Sequence, residues 1–280
     1  LSSRIGDVRD AGAVADAVTA ADPEIVIHMA AQALVRRSYR EPVETIATNV
    51  MGTTNLLQAL RDRGNLKAVL VVTSDKTYAN REDRAPFTEG DALGGDDPYS
   101  ASKVATESVT AAFARSFLED EGVAVATARG GNALGGGDWA EDRLITDLWN
   151  AVRRGEPLIL RYPDARRPWQ HVLDLDGGYL LYAERLATAA AGLGRALNFG
   201  PEAAGQISTA ALAERLLGAL PGAQGWRKAD GNQPPEKITL MLDATLARET
   251  LGWKPVLSTD DMVSWTADWY GALEAGTAMR

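Results

Sequence analysis

Five residues have the types and spacing for proton chemistry on a substrate: Ser74, Asp75, Lys76, Tyr99 and Lys103. Tyr99 and Lys103 are four apart, so on a helix they share one face. An ammonium beside a phenol lowers the phenol's pKa from about 10, because the phenolate gains an opposite charge. Tyr99 is therefore a candidate base, and Ser74 a hydrogen-bond partner for the same substrate hydroxyl. A Tyr-x-x-x-Lys pair arises easily by chance; its position gives this one weight. The apolar run Ala68-Val69-Leu70-Val71-Val72 stops at Thr73-Ser74-Asp75-Lys76-Thr77-Tyr78, and Pro98-Tyr99-Ser100-Ala101-Ser102-Lys103 opens a long helical pattern. Ligands bind to open α/β sheets at the carboxyl ends of strands, which is where these residues fall.

The elements that must position them follow from periodicity and breakers. Gly6-Asp7-Val8-Arg9-Asp10 reads as a strand end and a turn, with Asp10 capping a helix over 11–20. Ile25-Val26-Ile27 is a short continuous apolar run, the mark of a strand covered on both faces, and small residues follow it at Ala30-Ala31 before Gln32. Helices are expected over 42–63, opened by Pro42 and closed by Gly64, and over 99–121, closed by Gly122. A buried strand over 123–128 runs out into a Gly-rich loop at 130–137 that ends in Asp138-Trp139. Beyond 143 the pattern predicts helices over 144–154 and 173–186, strands at 158–160, 196–199 and 238–242, and an Arg-rich turn at 164–171. Ser208 caps a helix to about 220, a short helix ends before Gly252, and a last helix begins near Ser258. Strands alternating with helices predict an α/β fold with a doubly wound parallel sheet. Residues 1–140 form its nucleotide-binding part, and 141–280 a smaller α/β substrate region, with the chain crossing between the two.

The bulk composition narrows the class. The 280 residues are 45% hydrophobic, enough for a well-cored protein of one large domain or two modest ones. A formal charge of -9 argues against a coat for nucleic acid or anionic membrane. No apolar run approaches the roughly 18 residues of a membrane span. There is no cysteine, which excludes disulfide and thiolate chemistry, and two histidines without cysteine make a structural zinc site a poor fit. A cytoplasmic α/β protein is the class that remains.

One part is missing from the front. A nucleotide-binding sheet of this kind normally begins with a strand, a Gly-rich turn and a helix that receives the pyrophosphate. None precedes Ile25, and the loop at 130–137 comes late and leads into no helix N-terminus. Ile25-Val26-Ile27 reads as a central strand that would otherwise be an exposed apolar edge. The expectation is that about two βα units, on the order of 60 residues, precede the given chain.

Taken together, Thr73-Ser74-Asp75-Lys76-Thr77-Tyr78, Asp97-Pro98-Tyr99-Ser100-Ala101-Ser102-Lys103, the stretch from Gly131 to Trp139 and Arg167-Pro168-Trp169-Gln170-His171-Val172 resemble the extended short-chain dehydrogenase/reductases. Among these they are most similar to the nucleotide-sugar dehydratases of the CDP-glucose branch. The resemblance runs in order from Gly6-Asp7-Val8-Arg9-Asp10 to Leu251-Gly252-Trp253-Lys254-Pro255, and departs from the pattern only in the absent Gly-rich turn. It implies NAD as cofactor and a redox cycle that returns it. Tyr99 takes the proton of the sugar's 4-hydroxyl as hydride leaves carbon 4; water is then eliminated across carbons 5 and 6, and hydride returns to carbon 6. Related dTDP-glucose enzymes carry an Asp-Glu pair where this chain has Asp75-Lys76. Asp75 is assigned as the acid, which requires a raised pKa, and Lys76 as the base, which requires a lowered one. Burial or substrate must supply both shifts, since an ion pair alone moves each the wrong way. Both residues face one substrate only if the strand has ended by Ser74, because strand neighbours point to opposite sides.

The same resemblance implies further contacts. Asp7, Val8, Ala30, Ala31, Gln32, Asn49 and Thr73 are placed along the cofactor with Tyr99 and Lys103. Asn132 and Arg167 are placed on the substrate's diphosphate, for which a guanidinium fork is suited. Trp139, and equally Trp169, is a candidate to flank the base, against plain packing. His28 and His171 read as structural histidines, and Arg36, Arg37 and Arg40 as a solvated face, with one of the three lining the cleft as the alternative. The Ala-rich helices over 42–63 and 99–121 suit a two-helix-by-two-helix contact in a homodimer or a dimer of dimers. A nucleotide-sugar 4-epimerase shares Ser74, Tyr99 and Lys103 but has no need of Asp75-Lys76. A GDP-mannose dehydratase, and a redox-inactive scaffold that kept only the fold, are the remaining readings.

Overall fold

The apolar run at 68–72 becomes a strand whose alternate side chains divide two cores. In the computed structural model, which describes residues 2–80, 82, 85–202, 206–231, 233 and 236–277, the chain order begins α1 (Ala11–Ala21), β1 (Ile25–His28), α2 (Val35–Arg40), α3 (Pro42–Ile46), a π turn (Ala47–Met51), α4 (Gly52–Ala59) and β2 (Ala68–Val72). A 3-10 turn (Asp75–Thr77), α5 (Pro98–Phe113), a second π turn (Ala114–Leu118), β3 (Ala124–Gly130) and β4 (Ala133–Leu134) follow. The rest comprises α6 (Leu144–Arg154), β5 (Leu158–Leu160), β6 (Gln170–His171), α7 (Val172–Ala189), β7 (Ala196–Phe199), α8 (Thr209–Ala219), β8 (Trp226–Lys228), α9 (Thr245–Leu251) and α10 (Thr259–Glu274).

Four strands pair in the order β1-β2-β3-β7, all parallel. Val69 and Val71 turn toward α1, α4 and the helix after Tyr99, packing on Val18, Leu57, Leu60 and Leu118. Ala68 and Leu70 turn the other way, onto Leu175, Tyr179, Tyr182 and Leu186 of α7 and Leu251 of α9. Period-2 alternation thus buries both faces, the arrangement of a parallel sheet sandwiched by helices. A third cluster, of Ile145, Leu148, Leu158, Leu160, Leu212, Leu216 and Tyr270, joins α6, β5, α8 and α10 beside the carboxyl edge of the sheet. These layers form the two sides of a cleft.

Several expected elements differ in detail. The strand at Ile25 is the edge of the described sheet, and Ile25 is 41% exposed. The helix expected over 42–63 is interrupted by the π turn and ends at Ala59; the one expected over 99–121 closes through a second π turn. The stretch 238–242 pairs only through isolated bridges, Thr239 to Arg166 and Leu242 to Phe87, because its partners are loop segments. The pairing of β8 with β5 was not readable from the sequence. Residues 6–10 form a turn held by Arg9 on the Asp7 carboxylate, and among the described residues 2–7 none is in a strand. Among the described residues no helix is long and apolar enough to cross a membrane, and no group of three or more His, Cys, Asp or Glu is placed to hold a metal.

Candidate active site

β2 ends at Val72, two residues before Ser74, and the chain turns at once into the 3-10 turn. Ser74 caps that turn, its Oγ accepting from Lys76 N at 3.2 Å while donating to Asp75 Oδ1 at 2.9 Å. This break in the strand lets Ser74, Asp75 and Lys76 line a single cleft of about 360 Å³. Asp75 is 2% exposed, and among the described residues its Oδ2 has no hydrogen-bond partner. Burial pushes its carboxyl above the ordinary range, against the opposing pull of the Lys76 charge and the Ser74 hydrogen bond. The shift that the acid role requires therefore comes from burial.

Asp97 caps α5 by accepting from Ser100 N, and Pro98 starts the helix, which sets Tyr99 in the first turn. Tyr99 lines the same cleft and its N–H donates to Ser38 Oγ at 3.1 Å. Burial raises the phenol's pKa, while a hydrogen bond with Ser74 and the charge of Arg143 lower it. Ser74 and Arg143 are thus groups that ease ionisation of Tyr99, beside the Lys103 read from the sequence. Lys103 Nζ donates to the Val72 carbonyl at 3.2 Å; burial pushes it down to about 8, with the Glu107 charge opposing. His28 accepts or donates at Thr53 Oγ1, and His171 caps α7 through Leu173 N, so both histidines are structural as expected.

The residues assigned to a cofactor fall into two groups. Ala30 is exposed and Ala31 half-buried after β1, leaving the backbone open. Gln32 and Asn49 instead hold each other: Asn49 Oδ1 accepts from Gln32 N at 2.7 Å, and Asn49 Nδ2 donates to Gln32 O and Ser102 Oγ. The Asn49 amide is thus spent on the scaffold. Thr73 lines the cleft, but its hydroxyl donates to Glu107 Oε1 at 2.6 Å. Asp7 is occupied by Arg9, which holds its carboxyl down at about 2. Val8 packs against Gly52, where a Cβ would come within 2.6 Å of it.

On the opposite wall Asn132 and Arg167 line the cleft as expected. The Arg167 guanidinium is 3% exposed, and its two terminal nitrogens donate to the Arg166, Lys237 and Ile238 carbonyls and to Glu236 Oε1. Trp139 is not on the wall. It is 54% exposed and packs on Trp269 and Tyr270. Trp169 is the tryptophan that lines the cleft, with an indole N–H lacking a partner among the described residues. Arg36 leaves the solvated cluster to line the cleft, where it shares Asp142 with Arg161. Arg143, Arg161 and Glu236 also line it and were not singled out in the sequence. Arg161 had a usable signal, since it directly follows the carboxyl end of a short strand. Gly130 is required at the floor, because a Cβ there would fall on the Tyr179 hydroxyl.

A parallel sheet carrying Ser74, Tyr99 and Lys103 at its carboxyl edge defines the class, an extended short-chain dehydrogenase/reductase. The family model described as GDP-mannose 4,6 dehydratase matches residues 2–266, and the chain belongs to that family. It is 40% identical to a CDP-glucose 4,6-dehydratase of Salmonella typhimurium strain LT2, covering 100% of this chain and 79% of that protein. It is 28% identical to a dTDP-glucose 4,6-dehydratase of Xanthomonas campestris, over 95% of this chain and 77% of the relative. Among solved structures, a dTDP-glucose 4,6-dehydratase from Streptomyces venezuelae with NAD bound superposes with a TM-score of 0.83 at 28% identity, covering 97% of this chain and 80% of the other. A UDP-glucose 4-epimerase of Thermotoga maritima reaches the same TM-score at 22% identity, which speaks for the shared fold.

Proposed function

We propose that this chain is an NAD-dependent hydro-lyase that converts CDP-glucose to CDP-4-keto-6-deoxyglucose. The observation that carries the reading is the buried, raised-pKa Asp75 with Lys76 beside it, in one cleft with Ser74 and Tyr99. An epimerase has no use for a proton donor there. The likeness to the Salmonella CDP-glucose enzyme supports the choice of nucleotide.

The residues present fit NAD. The backbone after β1 is open at Ala30 and Ala31, and Lys103 brings a buried ammonium to the strand end below Tyr99. Asp7, Val8, Ala30, Ala31, Gln32, Tyr99 and Lys103 would hold the cofactor, with Asn49 and Thr73 fixing the backbone from behind. When bound, NAD supplies the acceptor and later the donor of hydride.

The chain's own groups move the protons. Tyr99, with Ser74 beside it in the cleft and eased by the charge of Arg143, takes the proton from the 4-hydroxyl. The carbon-4 ketone acidifies the carbon-5 proton, which passes to Lys76. The 6-hydroxyl departs as water with a proton from Asp75, whose burial favours the protonated form, and a proton returns to carbon 5 as carbon 6 is reduced. Asn132, Arg143 and Arg161 hold the diphosphate, and Arg167, its terminal nitrogens bound to carbonyls and Glu236, adds its charge from behind them. Trp169 takes the place assigned to Trp139 beside the base.

This reading treats residues 1–140 as the cofactor part and 141–280 as the substrate part, with β7 crossing back into the sheet, in a cytoplasmic enzyme. It also takes the chain as a homodimer or dimer of dimers. Exposed Val43, Ile46 and Met51 lie along the helix from Pro42, and exposed Ala101 and Ala112 along α5, which suits a four-helix contact. The decisive experiment offers the protein NAD with CDP-, dTDP-, GDP- and UDP-glucose and follows the ultraviolet signal of the 4-keto sugar. Fastest formation from CDP-glucose is expected. An epimer in place of a 4-keto sugar points to the epimerase, and no turnover of any of the four to the scaffold.

A further inference from the structure

Tyr99 and Lys103 are followed, one more turn along α5, by Glu107. The three side chains share a buried face of the helix, and none is more than 7% exposed. The mechanism above uses the first two and leaves Glu107 without a task. A carboxylate buried so deeply is costly unless every lone pair is met. Here all four positions are filled: Oε1 accepts from Thr73 Oγ1 at 2.6 Å and Arg129 Nε at 2.9 Å, and Oε2 from Thr127 Oγ1 at 2.8 Å and Arg129 Nη2 at 3.0 Å. These partners lie at the carboxyl end of β2 and on β3. Arg129 is held in turn by the Tyr78 hydroxyl at 3.0 Å and over the Tyr78 ring.

The strand end that Glu107 grips also holds the reacting groups. Thr73 follows Val72, whose carbonyl receives Lys103, and precedes Ser74, which donates to Asp75 and lines the cleft with Tyr99. We infer that Glu107 is a positioning residue of the reaction: it ties the end of β2, whose Val72 carbonyl holds Lys103, to α5 and β3. The inference rests on the short-chain dehydrogenase reading of Tyr99 and Lys103.

The charged and titratable groups around Lys103 come from every neighbouring element. Glu107 and Tyr99 lie on its own helix. His28 lies at the end of β1, where burial and the Lys103 charge keep it neutral, down at about 4. Arg129 stands on β3 behind Glu107, and Asp75 after β2 faces Tyr99. Burial draws Lys103 down to about 8, and Glu107 works against that pull. Replacing its charge leaves the desolvation of Lys103 unopposed, so the proton is lost at lower pH.

The test follows the Lys103 Nζ resonance of the free protein by NMR through a pH titration, in the wild type and in Glu107→Gln and Glu107→Asp. A midpoint lower by about one unit or more in Glu107→Gln, restored in Glu107→Asp, is expected. The basic limb of the turnover profile should move in the same direction and by the same amount. An unchanged Lys103 midpoint in a folded Glu107→Gln protein overturns the role. Should Glu107→Gln fail to fold by circular dichroism, Thr73→Val removes one arm of the grip and keeps the charge. It is then expected to lower turnover with the Lys103 midpoint in place, and unaltered turnover overturns the positioning role. Because the NMR midpoint is read without substrate, its shift reports on Glu107 even where no nucleotide sugar is dehydrated, so the two readings fail separately.

Discussion

Two acid–cation pairs lie on either side of the strand end at Thr73, and they are built in opposite ways. Glu107 and Arg129 form a bidentate ion pair in which the carboxylate's acceptor positions are all filled. Asp75 and Lys76 are neighbours in sequence, yet among the described residues one oxygen of Asp75 is buried without a partner. The first pair holds its charges in place; the second leaves a carboxyl that favours its proton. Equal depth of burial therefore yields a fastener in one place and a proton donor in the other. The number of hydrogen bonds that reach the carboxylate decides which.

This contrast can be broken or sharpened by substitution. The largest effect is expected from Asp75→Asn, which keeps the shape and removes the transferable proton: 4-keto-6-deoxy sugar formation should fall by about 10²–10⁴-fold in a steady-state assay. Lys76→Ala should separate the steps. Reduced cofactor is expected to accumulate spectroscopically as carbon-4 oxidation proceeds, while elimination stops; normal product formation by this variant would rule out the base role. Across the strand, Arg129→Met strands a buried carboxylate, and the loss in urea unfolding should reach about 3–5 kcal/mol.

The pH dependence of stability gives a smaller effect of the opposite sign. The folded carboxyl of Asp75 lies above its unfolded value of 3.8. Its favourable contribution is thus complete below that pH and is lost as pH rises through the folded value. Asp75→Asn has no such loss, so it should unfold at a higher temperature than wild type near neutral pH, with the difference narrowing toward pH 4. Arg40→Ala, which removes an exposed ion pair with Glu141, should change stability by less than about 1 kcal/mol.

Much of this arrangement could be read from local sequence, because local rules set it. The caps at Asp10 and Ser208 stand where helix-start signals put them, and the last helix begins at Ser258 as its pattern indicates. The strand at 68–72 and the break before Ser74 followed from an apolar run meeting polar residues. What escaped depends on contacts far apart in the chain. Whether Trp139 or Trp169 faces the cleft is decided by α10, which supplies Trp269 and Tyr270 as a seat for Trp139. The partners of Arg167 come from a segment some 70 residues away, so nothing near Arg167 announces them. The seat of the Lys103 ammonium escaped for a similar reason. Spacing on a helix places Lys103 on the same face, but Val72 and Glu107, on other turns and strands, decide where its ammonium points.

The π turn at Ala47–Met51 carries one last consequence. Its extra residue sets the direction of Asn49, whose amide grips both backbone groups of Gln32 and reaches Ser102. A regular helix rotates about 100° per residue. Deleting any one residue of the π turn other than Asn49 would restore ordinary helical winding yet swing Asn49 away by about that angle. The loop after β1 would then lose its anchor. The helix is therefore a length gauge: at the four positions around Asn49 it should accept many changes of residue type, but no change in their number.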